Sequence, residues 1–339
     1  MILVTGGTGL VGSHLLLDLV KTGKHVRAIY RTVESLQNVK NVFLYTNSEA
    51  EANRLFSSIE WQIADITDVP SLKNIFKNVD RVYHCAALVT FDTSKDAELR
   101  KVNIEGSANI VNFCIKNKVE KLCFVSSIAS LDKKPGQKEI KELSFWNKEL
   151  NHSMYAITKY GAEMEVWRAS QEGVPVVIVN PGVIIGPGFW DSGSGKIFKK
   201  IEQGLDYYIP KTTGFVGVWD VVKAMQELMS SPVKNEEFIV VSENLPFKEV
   251  FYMTARILDK PLPSKKLKKW MVFTGWLWQE FSGLFSSKEK QLEMRSLKSL
   301  FDSTFYSSAK IKEQTGFEFE PILKVIEKTA ACFRKDVQK

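Results

Sequence analysis

Tyr155 and Lys159 stand four residues apart in a helical pattern over 153–172, so both project from one helix face. A phenol titrates at about 10 and is a weak acid or base at neutral pH. A neighbouring ammonium favours the phenolate and moves the pair toward the working range. Such a pair can give a proton to an oxygen that gains charge, or take one from a hydroxyl. The spacing alone is not diagnostic, because Tyr207 with Lys211 and Tyr306 with Lys310 repeat it. Pro210 does not suit a helix in the first, and the second lies in the C-terminal region, far from any candidate strand end. Tyr155 instead follows an apolar run, 121–125, that ends in Ser126 and Ser127. Ser127 can donate a hydrogen bond to the same oxygen. Ser126 and Ser130 compete for that role. His152 reads as a proton relay or, more simply, as a surface histidine. His84 reads as buried and hydrogen-bonded. Neither has the companions of a metal site, and no metal is expected.

A second group with chemical meaning lies at the start of the chain. Thr5-Gly6-Gly7-Thr8-Gly9-Leu10-Val11-Gly12 follows an apolar run at 2–5 and opens a helical pattern at 10–21. In that setting one glycine takes unusual backbone angles, one lets the backbone approach a pyrophosphate, and one lets helix and strand pack. The helix N-terminus offers N–H groups and partial positive charge to the phosphates. The motif therefore points to a dinucleotide. A site for NAD usually has an acid at the end of the second strand. Here that strand ends Ala28-Ile29-Tyr30-Arg31-Thr32, with no acid. Arg31 can pair with a 2′-phosphate. The expected cofactor is therefore NADP(H), with NAD(H) as the alternative. Asp65, followed by Ile66, can accept from the adenine amino group or cap the helix that starts near Asp68.

These residues need a frame. Short apolar runs at 2–5, 26–30, 61–64, 81–85, 121–125 and 176–179 alternate with helical patterns at 10–21, 69–77, 97–117 and 153–172. The alternation predicts a doubly wound parallel sheet wrapped on both faces, an α/β class of the Rossmann kind. An extra helix is expected around 50–56. After Pro181 the texture changes, and Gly186, Pro187, Gly188, Gly193 and Gly195 crowd into a loop. Two regions follow: a cofactor-binding domain at 1–182 and a smaller, mostly helical substrate region at 183–339. Part of the latter, about 214–242, is expected to return to the sheet.

Together the segments resemble a family. Thr5 to Gly12, His84-Cys85-Ala86-Ala87, Val102-Asn103-Ile104-Glu105-Gly106, Phe124-Val125-Ser126-Ser127, Tyr155 with Lys159, and Asn180-Pro181-Gly182-Val183 resemble the extended short-chain dehydrogenase/reductases, the NAD-dependent epimerase/dehydratase superfamily. The resemblance covers at least 1–187. Its nearest likeness is to the dihydroflavonol 4-reductase and 3β-hydroxysteroid dehydrogenase branch, and Val26-Arg27-Ala28 with Arg31 resembles that branch's NADP-binding strand. The resemblance implies that Ala86 and Ala87 line the cofactor cleft, that Lys159 bonds the nicotinamide ribose, and that Pro181 and Val183 back the nicotinamide. It implies a hydride-transfer oxidoreductase acting on the carbonyl or alcohol of a small molecule, and a homodimer is common in the family. Two departures count against nucleotide sugars. The helix reads Tyr155-Ala156-Ile157-Thr158-Lys159 where epimerases carry Tyr-Gly-x-Ser-Lys, and Ser127 is followed by Ile128-Ala129 where sugar dehydratases carry Asp-Glu. The loop 186–208 has no arginine to hold a nucleotide. An NAD-dependent nucleotide-sugar epimerase remains the alternative, and a non-catalytic dinucleotide sensor the third reading.

Composition bounds the rest. Of 339 residues 44% are hydrophobic and 25% charged, which fits a folded protein with a large core. The net charge of +7 is spread along the chain, so no nucleic acid partner is expected. Four cysteines lack metal or redox spacing and read as buried hydrophobes of a reducing compartment. No cleavable leader precedes the first strand, so a cytoplasmic location is expected. Lysines 265, 266, 268 and 269 precede a 16-residue apolar stretch, 270–285, that contains Gln279 and Glu280. It is too short and too polar to span a bilayer. It reads as a cover for an apolar substrate, aromatic or steroid-like, or, as a lesser alternative, as a helix on an anionic membrane surface.

Overall fold

The computed structural model describes residues 1–134, 136–142, 146–269, 271 and 301–338. The first half lays down β1 (Ile2–Thr5), β2 (Val26–Tyr30), β3 (Glu60–Ile63), β4 (Arg81–His84), β5 (Lys121–Val125) and β6 (Val176–Pro181). The chain continues through β7 (Val183–Ile185), β8 (Tyr207–Tyr208), β9 (Thr212–Gly217), β10 (Glu236–Val240) and β11 (Glu243–Pro246). β10 returns beside β6 and completes a seven-stranded parallel sheet, in the order β10-β6-β5-β4-β1-β2-β3. β7, β9 and β11 form a separate three-stranded sheet. Within the segment expected to return, β10 thus joins the main sheet while β9 does not.

The helices between these strands are α1 (Leu10–Lys21), α2 (Leu36–Leu44), α3 (Glu49–Ser57), α4 (Val69–Leu72), α5 (Asp96–Arg100), α6 (Gly106–Asn117) and α7 (Met154–Gln171). Then come α8 (Gly195–Glu202), α9 (Val218–Ser230), α10 (Phe247–Ile257), α11 (Ala309–Thr315) and α12 (Ile322–Val337). The main sheet divides its side chains by the two-residue period of a strand. Val4, Cys123 and Val177 face one core with Leu16, Val39, Phe43, Leu55 and Met225, from α1, α2, α3 and α9. Leu3, Leu122 and Ile178 face the other with Ile110, Val111, Ala162 and Val166, from α6 and α7. The central strands are covered on both sides, which is why they read as unbroken apolar runs. A third core, around Phe198, Phe215, Phe251, Ile326 and Phe333, joins α8, α10 and α12 to the small sheet.

Several local expectations change. Two helices, α2 and α3, occupy the segment where one was expected. The 69–77 pattern is helical only through Leu72, after which the chain makes single turns to the left-handed Asn78. The 97–117 pattern is interrupted by a π-helical turn at Lys101–Glu105. Arg27 is buried and holds the sheet edge: it pairs with both oxygens of Glu60 at 2.9 and 3.1 Å and donates to the carbonyls of Ile75 and Lys77. The four cysteines are free thiols, Cys114 and Cys123 buried, Cys85 and Cys332 half-buried. Among the described residues no helix is long and apolar enough to cross a membrane, and no three ligating side chains gather for a metal. The stretch 270–285 lies outside the described residues, Met271 excepted.

Candidate active site

In the main sheet the chain runs one way from β1 to β2 and β3, and the other way from β4 to β5 and β6. The carboxyl ends of β1 and β4 therefore flank a crevice, the place where such sheets take ligands. The glycine loop rises from β1 into it. Gly6 has φ +68°, and a Cβ there would lie 2.5 Å from the Ala86 backbone nitrogen. A Cβ on Gly12 would lie 2.1 Å from the Gly6 carbonyl oxygen. The loop is thus closed against β4 on one side and its own helix on the other. Gly9 precedes α1 with no side-chain cap, and the first turn carries no acid. These features fit a dinucleotide pyrophosphate at the α1 N-terminus. Thr8, Gly9 and Leu10 are half-buried there, and Val11 is buried. Thr5 ties the two strand ends, its hydroxyl 2.6 Å from His84 Nδ1 and accepting from Ala86 N at 3.4 Å. The other His84 nitrogen lies 2.9 Å from the Ser107 hydroxyl. Burial first, and the Lys159 charge second, lower the His84 imidazole to about 3, so this ring is neutral.

The acid–base group stands at the end of β5. Ser127 begins a tight turn, Ile128–Ser130, and its hydroxyl accepts from Ala129 N at 3.1 Å. Tyr155 sits at the start of α7, whose N-cap is Ser153. Tyr155 and Ser127 are neighbours at this strand end. Burial raises Tyr155 above the ordinary phenol, and the nearby Ser127 hydroxyl works against that rise. Lys159 is not among the groups that shift Tyr155, contrary to the expectation from their spacing. The reason is direction: the Lys159 ammonium donates to Val125 O at 2.8 Å and lies 4.4 Å from the centre of the Phe124 ring. It is 2% exposed, and burial lowers it to about 8 even though Glu163 works the other way. Ser126 and Ser130 both turn away from Tyr155, into a buried network around Glu163.

The NAD-binding family model described as Male sterility protein matches residues 4–209, more than half of the chain. The chain belongs to this family. It is an extended short-chain dehydrogenase/reductase of the dihydroflavonol 4-reductase-like branch, and an NAD(P)-dependent oxidoreductase. A Synechocystis sp. protein provisionally named dihydroflavonol 4-reductase is 25% identical over 92% of this chain and 88% of its own length. Tetraketide alpha-pyrone reductase 2 of Arabidopsis thaliana is 28% identical, over 73% of this chain and 79% of its own. Among solved structures, gox2253 superposes with a TM-score of 0.80 at 25% identity, over 99% of this chain and 98% of that one. UDP-glucose 4-epimerase of Thermotoga maritima shares the fold, with a TM-score of 0.74 at 20% identity over 99% of each chain.

In this short-chain dehydrogenase/reductase the other cofactor candidates are distributed as follows. Ala86 is half-buried and Ala87 exposed at the carboxyl end of β4, across from the glycine loop. Pro181 is buried at the end of β6, and Val183 is half-buried in β7. Arg31 is exposed just past β2. Asp65 closes a local turn, its Oδ1 accepting from Thr67 N and Thr67 Oγ1 at 2.8 Å each; it does not cap the helix after Asp68. Ile66 is buried against Gly106.

Two residues turn out differently from their reading in the sequence, which assigned Asn103 no contact and His152 a relay or surface place. Asn103 sits in the π-helical turn, 1% exposed. Its Oδ1 accepts from Leu88 N at 2.7 Å, and its Nδ2 donates to Leu88 O and Thr158 Oγ1 at 3.0 Å each. Thr158 in turn donates to Tyr155 O at 3.0 Å. One amide thus joins the loop after β4 to the helix that carries Tyr155. A buried-type polar residue in the middle of an otherwise helical pattern was the available signal. We predict that Asn103→Ala costs about 2–3 kcal/mol of unfolding free energy, since it leaves the Leu88 amide and carbonyl without that partner. Urea denaturation measures this, and a loss below about 0.5 kcal/mol would contradict the role. His152 is the second. It is not a surface residue: it stacks on Trp146 with ring centres 3.8 Å apart, and its Nε2 lies 3.3 Å from Asp132.

Proposed function

We propose that this protein reduces a small, apolar ketone or aldehyde, or oxidises the matching alcohol, with NADP(H) as cofactor. The observation that carries the reading is the neighbouring Ser127 and Tyr155 side chains at the end of β5, beside the crevice opened by β1 and β4. When bound, the dinucleotide supplies the hydride for reduction and accepts it in oxidation. Ser127 orients the carbonyl oxygen by hydrogen bond. Tyr155, held protonated by burial, gives its phenolic proton to that oxygen as it gains charge, so the product leaves as an alcohol. Lys159, whose ammonium rests on the Val125 carbonyl, would hold the nicotinamide ribose. Arg31, exposed at the end of β2 where an acid would otherwise select NAD, would pair with the 2′-phosphate.

Support for an apolar substrate comes from the loop after β4. Val89 and Phe91 are 59% and 52% exposed, and the Phe91 ring meets the Tyr155 ring edge to face at 5.9 Å. An aromatic or aliphatic body resting there brings its carbonyl toward the phenol. The names of the relatives, reductases among them, point the same way.

The test is a fluorescence titration with NADPH and NADH, followed by a panel of alkyl and aryl ketones and aldehydes read by loss of reduced nicotinamide. NADPH should bind more tightly than NADH. Arg31→Ala should weaken NADPH by about 10- to 100-fold and leave NADH unchanged, the worth of a charge-assisted bond. An equal effect on both cofactors would remove the NADP assignment. Protein that purifies with NAD already bound and turns over nucleotide sugars would move the reading to an epimerase.

A further inference from the structure

Four residues beyond Lys159 on the same face of α7 lies Glu163, 2% exposed. The acid–base scheme above gives it no part. Its Oε1 lies 2.8 Å from Ser130 Oγ and accepts from Asn180 Nδ2 at 2.8 Å, and Ser126 Oγ lies 3.4 Å from Ser130 Oγ in the same network. The single Ser130 hydroxyl proton is shared between Glu163 and the Ser127 carbonyl, 2.6 Å away, and Asn180 Nδ2 reaches Ser130 Oγ at 3.3 Å. Asn180 is the residue before Pro181, at the end of β6. Three separate pieces of the site therefore converge on one carboxylate: the turn that presents Ser127, the end of β6, and the helix that carries Tyr155 and Lys159.

We propose that Glu163 is a positioning residue that keeps Lys159 in its charged form and locks the turn bearing Ser127 against the catalytic helix. The inference rests on the function proposed above for Tyr155 and Lys159, but it concerns what holds them.

The charges around the pair can be followed element by element. Lys159 faces His84 and Cys85 from β4, the Phe124 ring and Val125 carbonyl from β5, and Glu163 from its own helix. His84 is neutral, and burial pushes the Cys85 thiol up to about 12, so it carries its proton. Glu163 is thus the counter-charge that Lys159 meets. Glu163 itself faces Glu237 on β10. Burial first, and Glu163 second, push Glu237 up to about 8, so near neutrality Glu237 is the member of the pair that carries a proton. Lys310, Glu142 and Glu236 act on Glu237 from its outer side. Burial raises Glu163 too, while Ser126, Ser130, Asn180 and Lys159 oppose the rise, in that order. Donors that converge on a carboxyl oxygen favour its ionised, acceptor-only form.

The sign follows. Burial draws the Lys159 proton off at lower pH, and the Glu163 charge opposes that. Without the charge, Lys159 must lose its proton at a lower pH still. The experiment is competitive acetylation of the full-length protein without cofactor across pH, with Lys159 reactivity read by peptide mass spectrometry. In Glu163→Gln the midpoint should fall by about one pH unit or more. In Glu163→Asp, with the charge kept but drawn back by one methylene, it should fall between the two. The alkaline limb of turnover should move to lower pH in step. A Glu163→Gln midpoint within about 0.3 unit of the wild type overturns the proposal, even if turnover falls, because lost packing alone does not retitrate Lys159. If Glu163→Gln does not fold, Glu163→Asp decides: a lowered midpoint supports the proposal and an unchanged one overturns it. The labelling needs no substrate, so it can succeed when the proposed reductase activity fails, and the reverse.

Discussion

Tyr155→Phe should lower kcat for carbonyl reduction by about 100- to 10,000-fold, the usual worth of a positioned general acid, while the Kd for NADPH stays within about twofold of the wild type. The split follows from where the hydroxyl points. It lies beside Ser127, just past the end of β5. Removing it therefore takes away a proton donor beside Ser127 and leaves the pyrophosphate cradle intact. The ring itself remains, with its edge contact to Phe91, so the pocket wall is kept. Stopped-flow reduction and a cofactor titration on the same preparation read the two quantities. Turnover within tenfold of the wild type would mean that the proton comes from another group, and the mechanism would fall. Loss of both turnover and cofactor binding would instead mark a structural role for the phenol.

Gly12→Ala should act in the opposite way, through the cofactor. The new Cβ would stand 2.1 Å from the Gly6 carbonyl oxygen and 2.7 Å from its carbon. Both are backbone atoms, so no side chain can swing aside, and the loop must open or the helix must shift. Overpacking of this kind costs about 1–3 kcal/mol, which corresponds to about 5- to 150-fold in Kd if it falls on the bound geometry. Weaker NADPH binding, a lower Tm and a near-normal kcat at saturating cofactor are expected. Gly23→Ala is the control. Gly23 has a positive φ, +72°, which Gly12 lacks, and nothing lies within 4 Å of its Cβ position. It should cost about 1 kcal/mol of stability and leave NADPH affinity unchanged. Equal effects of the two substitutions would show that Gly12 matters only to folding.

How far the sequence could be read depended on whether a feature is set locally. The run at 121–125 matches β5 to the residue: Leu122 to Val125 are apolar because the strand is buried on both faces, and Lys121 at its start donates to the Leu228 and Ser231 carbonyls. The glycine loop was legible because its steric demand comes from neighbours within a few residues. α2 was not: its buried residues, Val39, Val42 and Phe43, become an inner face only once α1 and α3 pack beside them. The π-helical turn at Lys101–Glu105 was not read from periodicity, since one extra residue shifts the phase between its two sides but leaves the period of each the same. The Tyr155–Lys159 spacing correctly placed both on one helix, but spacing does not say where a long side chain ends. Lys159 has Val125 O and the Phe124 ring within reach, and those lie on a strand more than 30 residues earlier. His152 likewise looked like a surface residue because its partners, Trp146 and Asp132, are brought to it by the fold of the intervening loop.

The return of β10 to the main sheet has a consequence for how the chain is made. β6 reads Val176-Val177-Ile178-Val179-Asn180-Pro181, and one of its two edges is paired only by β10, more than 50 residues further on. Until the ribosome has delivered residue 240, a nascent chain that has already assembled β1 to β6 carries a bare, strongly apolar strand edge of the kind that recruits other chains. The backbone of Gly182, next to Pro181, also waits for Val240, whose carbonyl it donates to at 3.1 Å. Synthesis that stalls between 182 and 240 should therefore yield aggregates, not a smaller working module, and co-translational chaperone occupancy should peak in that window.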